Sequence, residues 1–184
     1  MLKYIILGFL AYQPKSGYQL KQVMETSTNH FWRAELSQIY TTLKQLQADG
    51  LVISEIEAQE TRPDSRIYSI TEAGRADLQV WLNQPNTGLR AYKDVFLAKL
   101  FFSARLEKTT LLTQLHLQRN LCQQQLAYYH EHTAAYVQQM VESKPQLRQD
   151  GLLWTAIERF GELSMEMYLR WLDETIEMVE KNFQ

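Results

Sequence analysis

Between residues 107 and 181 the chain holds a single cluster of helix breakers, "KPQLRQDG" at 144–151, with apolar residues at helical spacing on both sides of it. The spacing predicts one helix over 107–142, with Leu111, Leu115, Cys122, Tyr129, Tyr136 and Met140 near one face, and a second over 151–181. At 1.5 Å of rise per residue the second is about 45 Å long. A small domain does not cover a helix of that length. The stripe of Trp154, Ile157, Gly161, Ser164, Tyr168, Trp171, Leu172 and Val179 must therefore be buried by something else. The two long helices either bury each other completely in a monomer or supply the interface of a homodimer, and the homodimer is the expectation carried forward. Seven Gly and four Pro among 184 residues agree with a mainly α chain of long, uninterrupted helices.

The first 84 residues are organised differently. Leu2, Ile5, Ile6, Phe9 and Leu10 make a first helix, which "QPKSG" ends; Ser16 and Gln19 have capping-box spacing and open a second over about 17–26. After the polar and aromatic connection "TSTNHFWR", Leu36, Ile39, Leu43 and Leu46 define a third helix, closed at Asp49-Gly50. "LVISEIEA" and "RIYSI" alternate as strands around the turn chemistry of "QETRPDS", and Thr71 opens a fourth helix. "NQPNTG" at 83–88 is the boundary. The expected organisation is an N-terminal winged helix-turn-helix with a two-stranded wing over 1–84, then a C-terminal helical dimerisation domain over 88–184.

In a helix-turn-helix the second motif helix lies in the major groove, with its N-terminal residues on base edges. Opposite the apolar side of the third helix stand Ser37, Thr41 and Gln45, flanked by Gln38 and Lys44. Uncharged hydrogen-bonding groups on one outward face suit base reading. Ser37, Gln38 and Thr41 are predicted to read bases, and Lys44 and Gln45 to lie nearer the backbone. Tyr40, at the edge of the stripe, can pack its ring and reach a phosphate with its hydroxyl; Arg62 and Arg66 border the wing turn, where a cation meets phosphate or minor groove. Taken singly, each of these is an ordinary solvated side chain; the arrangement carries the reading.

"ILGFLAYQPKSGYQLKQVM", "SQIYTTLKQLQADGLV" and "RIYSITEAGRADLQVWL" resemble the PadR family of bacterial transcriptional regulators. The hallmarks are Gly17-Tyr18, then Tyr40 with Leu43, Leu46 and Gly50, then Tyr68, Thr71 and Gly74. The likeness covers residues 1–84; the remainder is similar in length and helical pattern to the longer PadR type. It implies a homodimer on an inverted-repeat operator, usually a repressor, in some members responsive to small aromatic ligands. Against it stands the charge: formal net charge is −2, and "EIEAQETRPDSR" sets Glu55, Glu57, Glu60 and Asp64 against Arg62 and Arg66. Acidic groups near phosphates predict modest affinity, or a wing that sits away from the groove.

Other functions find less support. His130, Glu131 and His132 lack the i, i+4 spacing of a helical zinc site, His116 and His30 add none, and no glycine-rich phosphate loop is present, so neither an enzyme nor a cofactor or metal is expected. A winged helix that binds only protein is the alternative. Phe31, Trp32, Tyr92, Phe96, Trp154, Phe160, Tyr168 and Trp171 offer surface for a flat effector, although such a stripe is more often packing. The single Cys122 suggests a cytoplasmic protein with a packed thiol, and no stretch approaches the roughly 18 apolar residues of a membrane span.

Overall fold

The computed structural model describes residues 1–29, 31–57, 65–88 and 93–183, without the side chains of 130–139. It divides into two compact units, Met1–Arg90 and Ala91–Gln184.

In the N-terminal unit the order is α1 (Leu2–Tyr12), β1 (Lys15–Ser16), α2 (Gly17–Ser27), α3 (Leu36–Ala48), β2 (Val52–Glu57), β3 (Ser65–Ile70) and α4 (Glu72–Asn83). The sheet is antiparallel with order β1-β3-β2. β1 extends the expected two-stranded wing: Lys15 and Ser16 pair with Tyr68 and Ile67. Two residues have no periodicity to detect, so "QPKSG" read only as a break. The helices form where predicted because their apolar faces converge: Ile6, Leu7 and Leu10 of α1, Leu20 and Met24 of α2, and Ile39, Leu43 and Leu46 of α3 are buried with Val52 and Tyr68. Burying such side chains is worth about 1.5–3 kcal/mol each before entropy is counted. Ser16 and Gln19 close their capping box, Ser16 N–H donating to Gln19 Oε1 at 2.7 Å and Gln19 N–H to Ser16 Oγ at 3.1 Å.

Two glycines set how closely the elements approach. A Cβ on Gly17 would lie 2.5 Å from Tyr40 Cε1, so α2 and α3 meet where a ring rests on a bare backbone. A Cβ on Gly74 would lie 2.2 Å from the Leu51 carbonyl oxygen, so the first turn of α4 sits on the chain as it leaves α3. The same junction is bonded. Thr71 Oγ1 donates to Gly50 O at 2.8 Å and accepts from Gly74 N–H at 3.1 Å, while Thr71 N–H donates to Leu51 O at 3.0 Å. Gly50 takes the left-handed conformation, φ 71°, that lets the chain turn out of α3 into β2. On the other side of the unit, Tyr4 stacks on Trp81 with centroids 4.6 Å apart, and Lys3 pairs with Asp77 at 2.7 Å, holding α1 to α4.

The C-terminal unit contains α5 (Val95–Phe101), α6 (Lys108–Ser143) and α7 (Arg148–Asn182). α5 begins at Val95 because Asp94 caps it, its Oδ1 accepting from Phe96 and Leu97 N–H. The break expected at 144–151 shrinks to one 3-10 turn, Pro145–Leu147, and α7 starts at Arg148 with Gly151 buried inside it. α6 and α7 pack through Leu111, Leu115, Cys122, Leu172, Ile176 and Val179, with Arg119 Nε on Asp173 Oδ1 at 2.5 Å and Lys108 Nζ donating to Glu180 O at 2.8 Å. Burial, and next the Asp94 carboxylate, push the Cys122 thiol up, as expected of a packed thiol; burial first and Asp94 second push Tyr168 up to about 12.

The glycine contacts make a paired prediction. Gly74→Ala forces a Cβ into backbone that cannot yield and should cost about 3 kcal/mol, whereas Gly8→Ala, where nothing lies within 4 Å of the new Cβ, should add about 1 kcal/mol through helix propensity. Thermal denaturation followed by circular dichroism reads both, and equal shifts would show that the Leu51 carbonyl does not dictate the glycine.

Candidate nucleic-acid interface

α2 and α3 with the turn between them form the helix-turn-helix, and the turn is tied internally. Lys21 Nζ donates to Ala34 O at 2.9 Å and pairs with Glu25 at 3.1 Å; Phe31 and Trp32 N–H both donate to Thr28 O, at 3.0 and 2.7 Å. Lys21 was invisible as a structural residue in the sequence, because its partner is a carbonyl thirteen residues away. With the turn held, α3 buries Ile39, Leu43 and Leu46 and presents Ser37, Gln38, Tyr40, Thr41, Lys44 and Gln45 outward, all of them exposed.

Their hydrogen bonds sort these side chains by what they can still do. Gln38 Oε1 accepts the Glu35 N–H at 2.9 Å, so Gln38 helps to cap its own helix, which orients its oxygen toward the cap and leaves its NH₂ available to another molecule. The two-pronged pairing of glutamine with adenine needs both amide atoms. Gln38 is thus a donor here, and reading adenine with both would mean uncapping α3. Thr41 Oγ1 donates to Ser37 O at 2.9 Å, which turns its methyl and an acceptor lone pair outward and suits a thymine methyl. Gln45 Nε2 donates to Asp49 Oδ1 at 2.8 Å. Ser37 and Lys44 are exposed, and Tyr40 keeps its ring on Gly17 while 45% exposed.

The wing resolves a difficulty raised by its acidity. In the β2–β3 register Val52 faces Ile70, Ser54 faces Tyr68 and Ile56 faces Arg66. Side chains alternate across a strand, so Arg66 shares a face with buried Tyr68 and Val52, while Glu55 and Glu57 project from the other. Ser54 on the Arg66 face donates from Oγ to Gln47 Oε1 of α3 at 3.3 Å, which marks that face as the one toward the recognition helix. The pleat separates the charges. Arg62, Glu60 and Asp64 lie outside the described residues, as do His30, Tyr92 and the side chains of His130, Glu131 and His132. Among the described residues no group of three or more His, Cys, Asp or Glu is placed to hold a metal, and no helix is long and apolar enough to cross a membrane.

On α7 the expected stripe divides into two. Leu172 is fully buried against its own α6, Gly161 is buried, and Tyr168 and Trp171 stack at 5.2 Å on the flank of the α6–α7 core. The side chain of Leu172 is spent inside the protomer and is not available to a partner. Trp154 and Ser164 are half-buried and Ile157 is 40% exposed. Missed in the sequence was a second stripe of Leu153, Ile157, Phe160, Leu163 and Met167, all exposed, lying roughly a third of a turn around the helix from the inner one. The expected stripe ran between the two because an average over 31 residues merges neighbouring faces.

A helix-turn-helix with uncharged polar groups exposed on its second helix, a paired-strand wing whose Arg66 shares the face turned toward that helix, and long C-terminal helices define the winged-helix class of transcriptional regulators. The family model described as "Transcriptional regulator PadR-like family" matches residues 6–80, and that described as "Virulence activator alpha C-term" matches 92–180. The two matches follow one another along the chain, a PadR-like module first and the C-terminal module of the long form after it. It is 29% identical to the negative transcriptional regulator PadR of Bacillus subtilis, over 99% of both chains. Crystal structures of that protein superpose with TM-score 0.80 in complex with operator DNA (24% identity, 97% of this chain and 98% of that one) and 0.72 in complex with p-coumaric acid (24%, 98% and 99%). The Vibrio cholerae virulence activator AphA gives 0.72 at 27% identity, over 98% of both chains.

Two substitutions on α3 should separate capping from reading. Gln38→Ala should destabilise the N-terminal unit by about 1 kcal/mol through the lost cap, whereas Thr41→Ala should leave the melting temperature within a degree or two and flatten base preference at one operator position. Melting curves together with binding to single-base operator variants check this, and a silent Gln38→Ala melt would remove the cap assignment.

Proposed function

We propose that the protein is a dimeric repressor that binds an inverted-repeat operator through α3 and is released by a small aromatic ligand. The observation that carries the reading is the outward face of α3: Ser37, Thr41 and the NH₂ of Gln38 at its N-terminal end, Lys44 a turn or two on, and Arg66 on the wing face toward it. A purely structural helix has no use for uncharged donors and methyls there. Full-length similarity to a negative regulator supports the direction of regulation, and that regulator's complex with p-coumaric acid supports the ligand class. Within this chain, Phe96, Tyr168 and Trp171 gather aromatic surface beside α6 and α7.

The dimer reading rests on α7. Ile157 belongs both to the stripe predicted from sequence and to the exposed one, and with Leu153, Phe160, Leu163 and Met167 it forms an apolar face that a second copy would cover. Trp154 and Ser164 flank it.

Fluorescence anisotropy against the promoter of the protein's own gene and scrambled DNA of equal length tests the function. Tight binding to the promoter alone, reversed by p-coumarate, is expected; equal binding to both sequences would replace the regulator with a general DNA binder, and absence of binding at low salt would favour the protein-binding winged helix. Lys44→Ala should weaken binding to all DNA and lower the salt slope by about one. Leu163→Asp should yield monomers by light scattering, whereas Leu172→Ala should remain dimeric and lose about 3 kcal/mol of stability.

A further inference from the structure

Beside the recognition helix lies an open groove of about 440 Å³, walled by Leu2 of α1, Trp32 and Arg33 of the turn, and Ser37, Gln38 and Thr41 of α3. Its chemistry is one-sided. Arg33 is exposed and commits Nε to Asn29 O at 3.2 Å; Gln38 holds its carbonyl oxygen on Glu35 N–H and offers its NH₂; Ser37 adds a hydroxyl. The hydroxyls of Thr41 and Thr42 turn back to Ser37 O and Gln38 O, so the remaining wall shows methyls, continued by the Trp32 ring and Leu2. Hydrogen-bond donors set among apolar surface match a ligand whose anionic oxygens only accept and whose neighbouring part is a non-polar ring. A sugar-phosphate strand has that pattern. The groove is also continuous with the base-reading face, since Ser37, Gln38 and Thr41 belong to both.

We propose that this groove seats the DNA strand bordering the major groove at the N-terminal end of α3, with Arg33 on a phosphate and Trp32 against the adjoining deoxyribose. The inference rests on the DNA-binding reading above and adds the turn residues to it. The carboxylate of neighbouring Glu35 is 80% exposed but does not line the groove, and Lys21 Nζ stands 4.0 Å from it. In a chain of net charge −2, a cation at this point contributes a disproportionate share of phosphate attraction.

Arg33 is exposed and its removal leaves the core intact, so Arg33→Gln and Arg33→Lys of the full chain can be compared with wild type by anisotropy across a salt series. Arg33→Gln should bind promoter and scrambled DNA alike roughly tenfold more weakly, with a salt slope smaller by about one; Arg33→Lys should restore the slope. In promoter fragments carrying single methylphosphonates, one position should weaken wild type and leave Arg33→Gln no weaker than before, because the lost partner is the same contact. Unchanged affinity and slope in Arg33→Gln, or methylphosphonate effects that add to it at every position, would overturn the seat. Displacement of DNA by p-coumarate that Arg33→Gln abolishes, with DNA affinity itself unmoved, would overturn it in favour of a small aromatic acid. Failure of wild type to discriminate promoter from scrambled DNA would count against the proposed function instead, and the slope comparison on either DNA would still decide the seat.

Discussion

The recognition helix is useful only if its angle to the wing is fixed, and that angle depends on the junction of Gly50, Leu51, Thr71 and Gly74. One threonine hydroxyl both caps α4 and holds the carbonyl that ends α3, while a glycine lets α4 rest directly on the Leu51 carbonyl. Three elements thereby meet through one short threonine side chain and a bare backbone contact, with no long adaptable side chain between them. Backbone contacts of this kind do not creep: a helix seated on a carbonyl is in place or displaced. Gly17 under the Tyr40 ring does the same for α2 and α3. Two of the residues recognised as family hallmarks, Gly17 and Gly74, are physically the points where elements come too close for a side chain.

The site built on this frame shows that a side chain in the right place is not automatically a reader. Gln38, Thr41 and Gln45 all make hydrogen bonds to the helix or its caps, so under the proposed function each would offer DNA only a part of its chemistry. What remains is donors from Gln38, a methyl and a lone pair from Thr41, and cations set at a distance from them. Under the proposed function, such a surface would bind phosphate through few charges and rely on shape and apolar contact for selectivity, in keeping with a whole chain whose formal net charge is −2.

Much of this was legible in the sequence. Helical periodicity placed α1 to α4, and the outward set of α3 followed from counting positions around a helix. Turn chemistry marked the wing. Less local information was harder to read. β1 is two residues whose partners lie fifty residues on; Lys21 acts on a carbonyl across the turn; the groove exists only because Leu2, Trp32 and Arg33 are brought beside α3. On α7 the periodic signal was present but ambiguous, because an inner and an outer apolar stripe a third of a turn apart look like one broad stripe until packing against α6 divides them.

The pleat of the wing has a consequence for how such a protein can change. Arginine and glutamates occupy alternate positions along two paired strands, so the sign of the surface turned toward α3 is a matter of parity. Adding or deleting one residue within β2 would bring Glu55 and Glu57 to the recognition side at a stroke, whereas a two-residue change would preserve the electrostatics and only lengthen the reach. Wing length in a lineage built this way should drift in even steps within the strands and freely at the tip, so that strand length behaves as a binary charge code rather than a continuous variable.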